Sequence, residues 1–159
     1  MEYIFDTHAH YDDEAFDEDR ESLIGSLREN GIGNVCNIGA SMESCRTTLA
    51  LAEEYPFFYG ALGVHPNETK DLTEEDMDWL RKASGSEKIG AIGEIGLDYY
   101  WKDNPPRALQ QNVFHRQLEL AQSLRLPVIV HDREAHGDSL EIVKEFPGVR
   151  GVFHCFSGS

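Results

Sequence analysis

Two histidines at alternate positions, His8 and His10, close the segment Asp6-Thr7-His8-Ala9-His10, which follows the short apolar run Tyr3-Ile4-Phe5. On an extended strand, side chains at i and i+2 point to the same side, so both imidazoles can reach one metal ion. Asp6 has the same parity and is expected one layer further down, supporting the ligands more than acting as one. A lone His-x-His is as readily a coincidence at a polar strand end as a ligand pair, so the reading depends on partners elsewhere. Four residues of ligating type qualify: His65 in Gly63-Val64-His65-Pro66, Glu94 in Gly93-Glu94-Ile95-Gly96-Leu97-Asp98, His131 ahead of Asp132-Arg133, and His154 after an apolar run. The glycines around Glu94 let backbone and ligand approach closely, which favours a metal-bridging carboxylate over a rim salt bridge.

These residues have to be positioned by elements far apart in the chain. Apolar runs read as strands beginning near residues 3, 33, 57, 89, 127 and 151. Between them lie helical patterns over 16–30, 42–54 with Ser41 as N-cap, 73–83 with a Thr73/Asp76 capping box, 105–124 after Pro105-Pro106, and 140–146. Strict alternation of apolar strands with helices implies a parallel sheet covered by helices.

From residue 3 to residue 151 there are five repeats, about 30 residues each, and eight such units make the roughly 240 residues of a TIM barrel. The fold class expected is therefore α/β, a TIM-type barrel that is incomplete here, with about six strands and five helices in a single domain over 1–159. An open doubly wound sheet is the alternative. The ligand types decide between them. Five of the seven histidines fall at the C-terminal strand ends, where barrel enzymes keep their active sites, while His115 and His136 read as surface residues. In a flat sheet with ~4.8 Å between strands, the first and sixth strands would stand more than ~20 Å apart, too far to share a metal site. A closing barrel turns all these residues toward one mouth.

Composition limits the function classes. The net charge of −15 is concentrated in 12–21, with seven acids and one Arg, and in 68–78, with six acids and one Lys. Both runs open helical patterns, where acids are favoured by the helix dipole. Such a balance argues against a broad nucleic-acid-binding surface, so a phosphate substrate would have to be held locally, by metal. Cys36, Cys45 and Cys155 are odd in number and scattered, which points to a reducing, cytoplasmic setting. No run is long enough to span a membrane, and the N-terminus lacks the regions of a secretory signal.

With these segments in place, the sequence resembles the TatD family of metal-dependent deoxyribonucleases, within the amidohydrolase superfamily of TIM barrels. The matching segments are Phe5–His10, Gly63–Pro66, Gly93–Asp98, Pro127–Arg133 and Phe153–Gly158. The resemblance implies two divalent metal ions (Mg2+, Mn2+ or Zn2+), with His8 and His10 binding one, His131 and His154 the other, and Glu94 bridging both as the catalytic carboxylate. It also implies an aspartate after the seventh or eighth strand, beyond the last residue here, which leads us to expect a C-terminally truncated chain of uncertain turnover. The substrate implied is DNA, single-stranded or at 3′ ends, with Arg133 a candidate phosphate contact and His65 a candidate substrate contact. Tyr99, Tyr100 and Trp101, in the loop after the fourth strand, are candidates for stacking on bases. Two other readings stay open: hydrolysis of an amide, ester or lactone by the same metal cage, and a metal-binding chain without turnover.

Overall fold

The computed structural model describes residues 3–157. Gly158, the last residue of the Phe153–Gly158 segment, lies outside the described residues. Six strands, β1 (Ile4–Ala9), β2 (Ile32–Ile38), β3 (Phe58–Leu62), β4 (Ile89–Asp98), β5 (Val128–Arg133) and β6 (Gly151–Phe153), pair in parallel in the order of the chain. A doubly wound sheet would reverse strand order at a switch point, and this one does not, so the topology is that of a barrel. The sheet also curls. The rings of His8 on β1 and His154 just after β6 stack with centroids 3.5 Å apart, whereas five flat spacings would separate their strands by ~24 Å.

Five helices, α1 (Arg20–Ser26), α2 (Met42–Glu54), α3 (Glu74–Ala83), α4 (Arg107–Leu124) and α5 (His136–Lys144), connect the strands. The largest apolar cluster joins β3, β4 and β5 to α3, α4 and α5 through Leu62, Ile92, Ile95, Val128, Leu80, Phe114, Leu118 and Ile142. A second cluster, with Ile24, Leu27, Val35, Leu51 and Phe58, seats α1 and α2. A third, Ile38, Ala61, Ala91 and Ile129, contains strand residues only. It therefore fills the face turned away from the helices, as the side-chain layers inside a barrel do.

Several boundaries differ from the sequence reading, each for an identifiable reason. The helix expected over 16–30 is shorter, because Asp13 caps a separate 3₁₀ turn, Glu14–Phe16, and Arg20 folds back to donate to the carbonyls of Tyr11, Asp12 and Asp13. The fifth helix runs from His136 and ends at Lys144 rather than at Phe146, its entry tied by Asp132, whose carboxylate contacts His136 and accepts from Ser139. A 3₁₀ helix over Pro66–Asp71, with His65 as its N-cap, was not expected. Thr73 and Asp76 do form the anticipated capping box.

β4 runs on past Glu94 to Asp98, and this extension matters most for the site. It is made possible by Gly96, whose φ of +140° suits glycine. Gly96 pairs with His131, and a Cβ there would collide with the His131 carbonyl oxygen. Gly96→Ala is accordingly expected to destabilise the fold by about 3 kcal/mol or more. Urea denaturation checks this, and an unchanged midpoint would show that β4 and β5 do not depend on a bare Cα at this crossing.

Candidate metal centre

The C-terminal end of β1 is held by a buried polar network. Asn37, fully buried on β2, accepts from the Tyr11 backbone N–H at 2.6 Å and donates to Asp12 Oδ1 at 2.7 Å and Thr48 Oγ1 at 2.8 Å. Ser44 donates to the other Asp12 oxygen. This fixes the chain just beyond His8 and His10. His10 then donates from Nδ1 to the Ile38 carbonyl at 2.9 Å, which sets the ring and leaves the Nε2 lone pair free. Asp6 accepts from the His8 backbone N–H at 3.3 Å.

Glu94 is the centre of the arrangement. Only 5% exposed, it lies with Oε1 2.9 Å from His131 Nδ1 and Oε2 3.3 Å from His8 Nε2. The second contact is close but not aligned as a hydrogen bond, and His8 Nε2 is a buried nitrogen without a hydrogen-bond partner among the described residues. Burial pushes the Glu94 carboxyl up, but His131 and His8, with the neighbouring His65, outweigh it and hold it well below the usual carboxylate range. His131 shows the converse: burial works against its charge, yet Glu94 and Asp98 prevail and raise it. Burial, with the nearby His8, pulls His154 down.

Two sets of donor groups converge, with the ligating atoms of each within 4.8 Å of one another: His8, Glu94 and His154, and His65, Glu94 and His131. Glu94 belongs to both, as a bridging carboxylate would. The grouping otherwise differs from the sequence expectation. His154 sits with His8 rather than with His131, because the curl of the sheet returns β6 to β1. His10 stands outside both sets, its ring centroid 5.1 Å from that of His8.

His65 joins the second set by position, but its proton decides its chemistry. Its Nδ1 accepts from the Asn67 backbone N–H at 3.3 Å, and burial, with His131 close by, lowers its pKa to about 4. At neutral pH the ring is therefore neutral with its proton on Nε2, a hydrogen-bond donor rather than an electron-pair donor.

The cleft over this centre, about 420 Å³, is lined by His65, Glu94, His131, Asp132, Arg133, His154, Cys155 and Ser157. Arg133 is held by aromatic faces, with its guanidinium carbon 3.9 Å from the Tyr100 ring centroid and 5.3 Å from that of Trp101. It forms no ion pair among the described residues, in a chain with 29 acidic side chains. Tyr100 and Trp101 are about half exposed. Tyr99 is engaged elsewhere: Arg107 covers its ring at 4.1 Å, and its hydroxyl contacts Asp138 at 2.7 Å and Gln111 at 2.8 Å. It lines a separate depression with Trp101 and Pro106, away from Glu94.

Asp98 is the site residue that sequence reasoning missed. It is 1% exposed, with Oδ2 3.2 Å from His131 Nε2. The signal was present: Asp98 has the strand parity of Glu94, but its relevance depends on β4 continuing through Gly96. His136 lies at the start of α5 against Asp132, and His115 is 3.9 Å from Glu145, just after α5; neither belongs to the cluster.

Residues 5–159 match the family described as TatD related DNase. The chain belongs to that family. It is 40% identical over 158 residues to the Bacillus subtilis protein named uncharacterized metal-dependent hydrolase YabD, covering 98% of this chain and 62% of the relative. It is 34% identical to the Cronobacter sakazakii protein named 3′-5′ ssDNA/RNA exonuclease TatD, covering 98% of this chain and 60% of that one. The crystal structure of the Escherichia coli TatD homologue YjjV superposes with a TM-score of 0.87 at 36% identity, over 98% of this chain and 61% of that one. The chain thus spans about three fifths of the length of these relatives.

The residues present fit divalent metal. An ionised buried carboxylate lies between His8 and His154 on one side and His131 on the other, and His8 Nε2 is a buried imidazole nitrogen lacking a hydrogen-bond partner among the described residues. Glu94→Gln removes the shared charge, so divalent-ion affinity is expected to fall by about 100-fold or more for both sets. Titration with Zn2+ or Mn2+ against a competing chelator checks this; undiminished affinity would show that Glu94 is not the common ligand.

Proposed function

We propose that this chain contributes the metal-binding rim of a divalent-metal-dependent hydrolase that cleaves phosphodiester bonds of single-stranded DNA from a 3′ end, acting in a reducing, cytoplasmic setting. The observation that carries this reading is the shared Glu94 carboxylate lying in the same cleft as Arg133, which has no ion-pair partner among the described residues. His8, Glu94 and His154, with His10 beside them, would hold one ion, and Glu94 and His131 a second. By donor type Zn2+ or Mn2+ suits these ligands, and Mg2+ is the ion the family resemblance implies. When bound, such ions supply Lewis acidity toward a water molecule and toward phosphate oxygens.

The chain's own groups do the rest. Glu94, already ionised, supplies negative charge between the donor sets without having to lose a proton at neutral pH. His65 presents its Nε2 proton to the cleft and suits a non-bridging phosphate oxygen or a 3′ hydroxyl. Arg133 is the one Lys or Arg lining this cleft among the described residues, and its planar fork matches a phosphate. Stacking on Tyr100 and Trp101 fixes the guanidinium while leaving its donors free. The exposed edges of those two rings offer a surface for an unpaired base.

The test is incubation of the chain with Mn2+ and an oligonucleotide labelled at its 5′ end, where shortening from the 3′ end is expected. Turnover of esters or lactones with no cleavage of DNA would overturn the assignment. Arg133→Ala should lower kcat/KM on the oligonucleotide by about 10- to 100-fold, the loss of a charge-assisted contact. Most of that loss should appear in KM, because the metal ligands are untouched.

A further inference from the structure

Asp98 is buried, acidic and unassigned, and both of its oxygens are committed. Oδ2 lies 3.2 Å from His131 Nε2, and Oδ1 accepts from the Tyr100 backbone N–H at 2.9 Å. The backbone carrying it is pinned as well. Gln110, 1% exposed on α4, accepts from the Asp98 N–H at 2.9 Å and donates to the Asp98 carbonyl at 3.1 Å, and Asn104 donates to the same carbonyl at 3.0 Å. A carboxylate held this firmly selects what it faces. A carboxylate oxygen paired with a ring N–H accepts, so His131 Nε2 is the donor toward Asp98 Oδ2. Nδ1 faces the Glu94 carboxylate at 2.9 Å and by the same rule donates to it while no ion is bound, so with Nε2 held by Asp98 it is Nδ1 that would turn its lone pair to an ion beside Glu94.

We propose that Asp98 is a positioning residue for the metal centre: it fixes the His131 ring with Nε2 protonated and Nδ1 presented beside Glu94, and ties that ring to the loop carrying Tyr100 and Trp101. The arrangement is the carboxylate–histidine–metal relation in which an outer carboxylate sets tautomer and orientation. It gives the long β4 a purpose, since without Gly96 the strand would not bring a second carboxylate to the opposite side of the ring. The same carboxylate also reaches the platform under Arg133, so the geometry of ligand and phosphate contact is set by one group. This inference rests on reading Glu94 and His131 as ligands of one ion.

Asp98→Asn separates positioning from simple support. The amide oxygen can still accept from the Tyr100 N–H, while the amide nitrogen donates to His131 Nε2, which reverses the tautomer and leaves the ring proton on Nδ1 against Glu94. Zn2+ affinity, measured on the full chain by competition with a chromophoric chelator, is expected to fall about 10- to 100-fold. Thermal unfolding of the metal-free variant and Trp101 fluorescence should stay at wild-type values. In Zn2+-loaded wild-type protein, 15N-histidine spectra should show His131 protonated at Nε2 and metallated at Nδ1. Asp98→Ala, which also frees the Tyr100 N–H, should alter Trp101 fluorescence as well as affinity. The proposal is overturned if Asp98→Asn binds Zn2+ as tightly as wild type, or if its metal-free form unfolds at a lower temperature than wild type. Failure of the wild-type chain to bind Zn2+ overturns the ligand reading itself and this proposal with it.

Discussion

A carboxylate buried in the mouth of a parallel sheet is costly unless it is surrounded by groups that favour its charge, and Glu94 sets this constraint for the rest of the site. His131 answers it from β5, His8 from β1, and His65 adds its ring from the turn after β3. Asp98 in turn balances His131 from the far side of its ring. The arrangement alternates acids and imidazoles from several strands, so no single element stabilises it. Its geometry exists only while β1, β4, β5 and the end of β6 keep their relative places.

That dependence makes the curl of the sheet a functional property. The helices act from outside, with α3, α4 and α5 pressing on β3–β5 through the main core while α1 and α2 hold β2 and β3. The small inner cluster, containing two alanines, lets the sheet bend tightly. The outer strands are less supported. Ile4 and Phe5 on β1 and Val152 on β6 are exposed at 61%, 50% and 59%, so His8 and His154 stand on the strands with the least apolar cover. Their stacked rings show how completely the bend brings these edges together.

Electrostatics assigns the cleft a division of labour. Much of the acidic excess lies on helix starts and on the turn that Arg20 gathers. Arg133 is orientated by ring faces instead of by carboxylates, which keeps its charge available at the mouth. His65, made neutral by burial, contributes a proton donor without adding positive charge. Tyr99 illustrates the opposite outcome: an aromatic adjacent to the platform in sequence is drawn into the contact between α4 and α5.

The sequence by itself determined the alternation of strand and helix, the parallel barrel-type sheet, and the rim on which His8, His10, His65, Glu94, His131 and His154 would stand. These follow from local rules: the two-residue period of a strand, the caps and breakers of helices, and the position of polar residues where apolar runs stop. Tertiary structure decided how those residues group. His154 meets His8 because the sheet bends, His65 is a donor because its N-cap bond fixes the proton, and Asp98 enters because Gly96 lets β4 continue beside β5. Each of these depends on contacts between residues distant in the chain. Spacing along one strand carries no information about the nitrogen or oxygen a neighbouring strand will place opposite it.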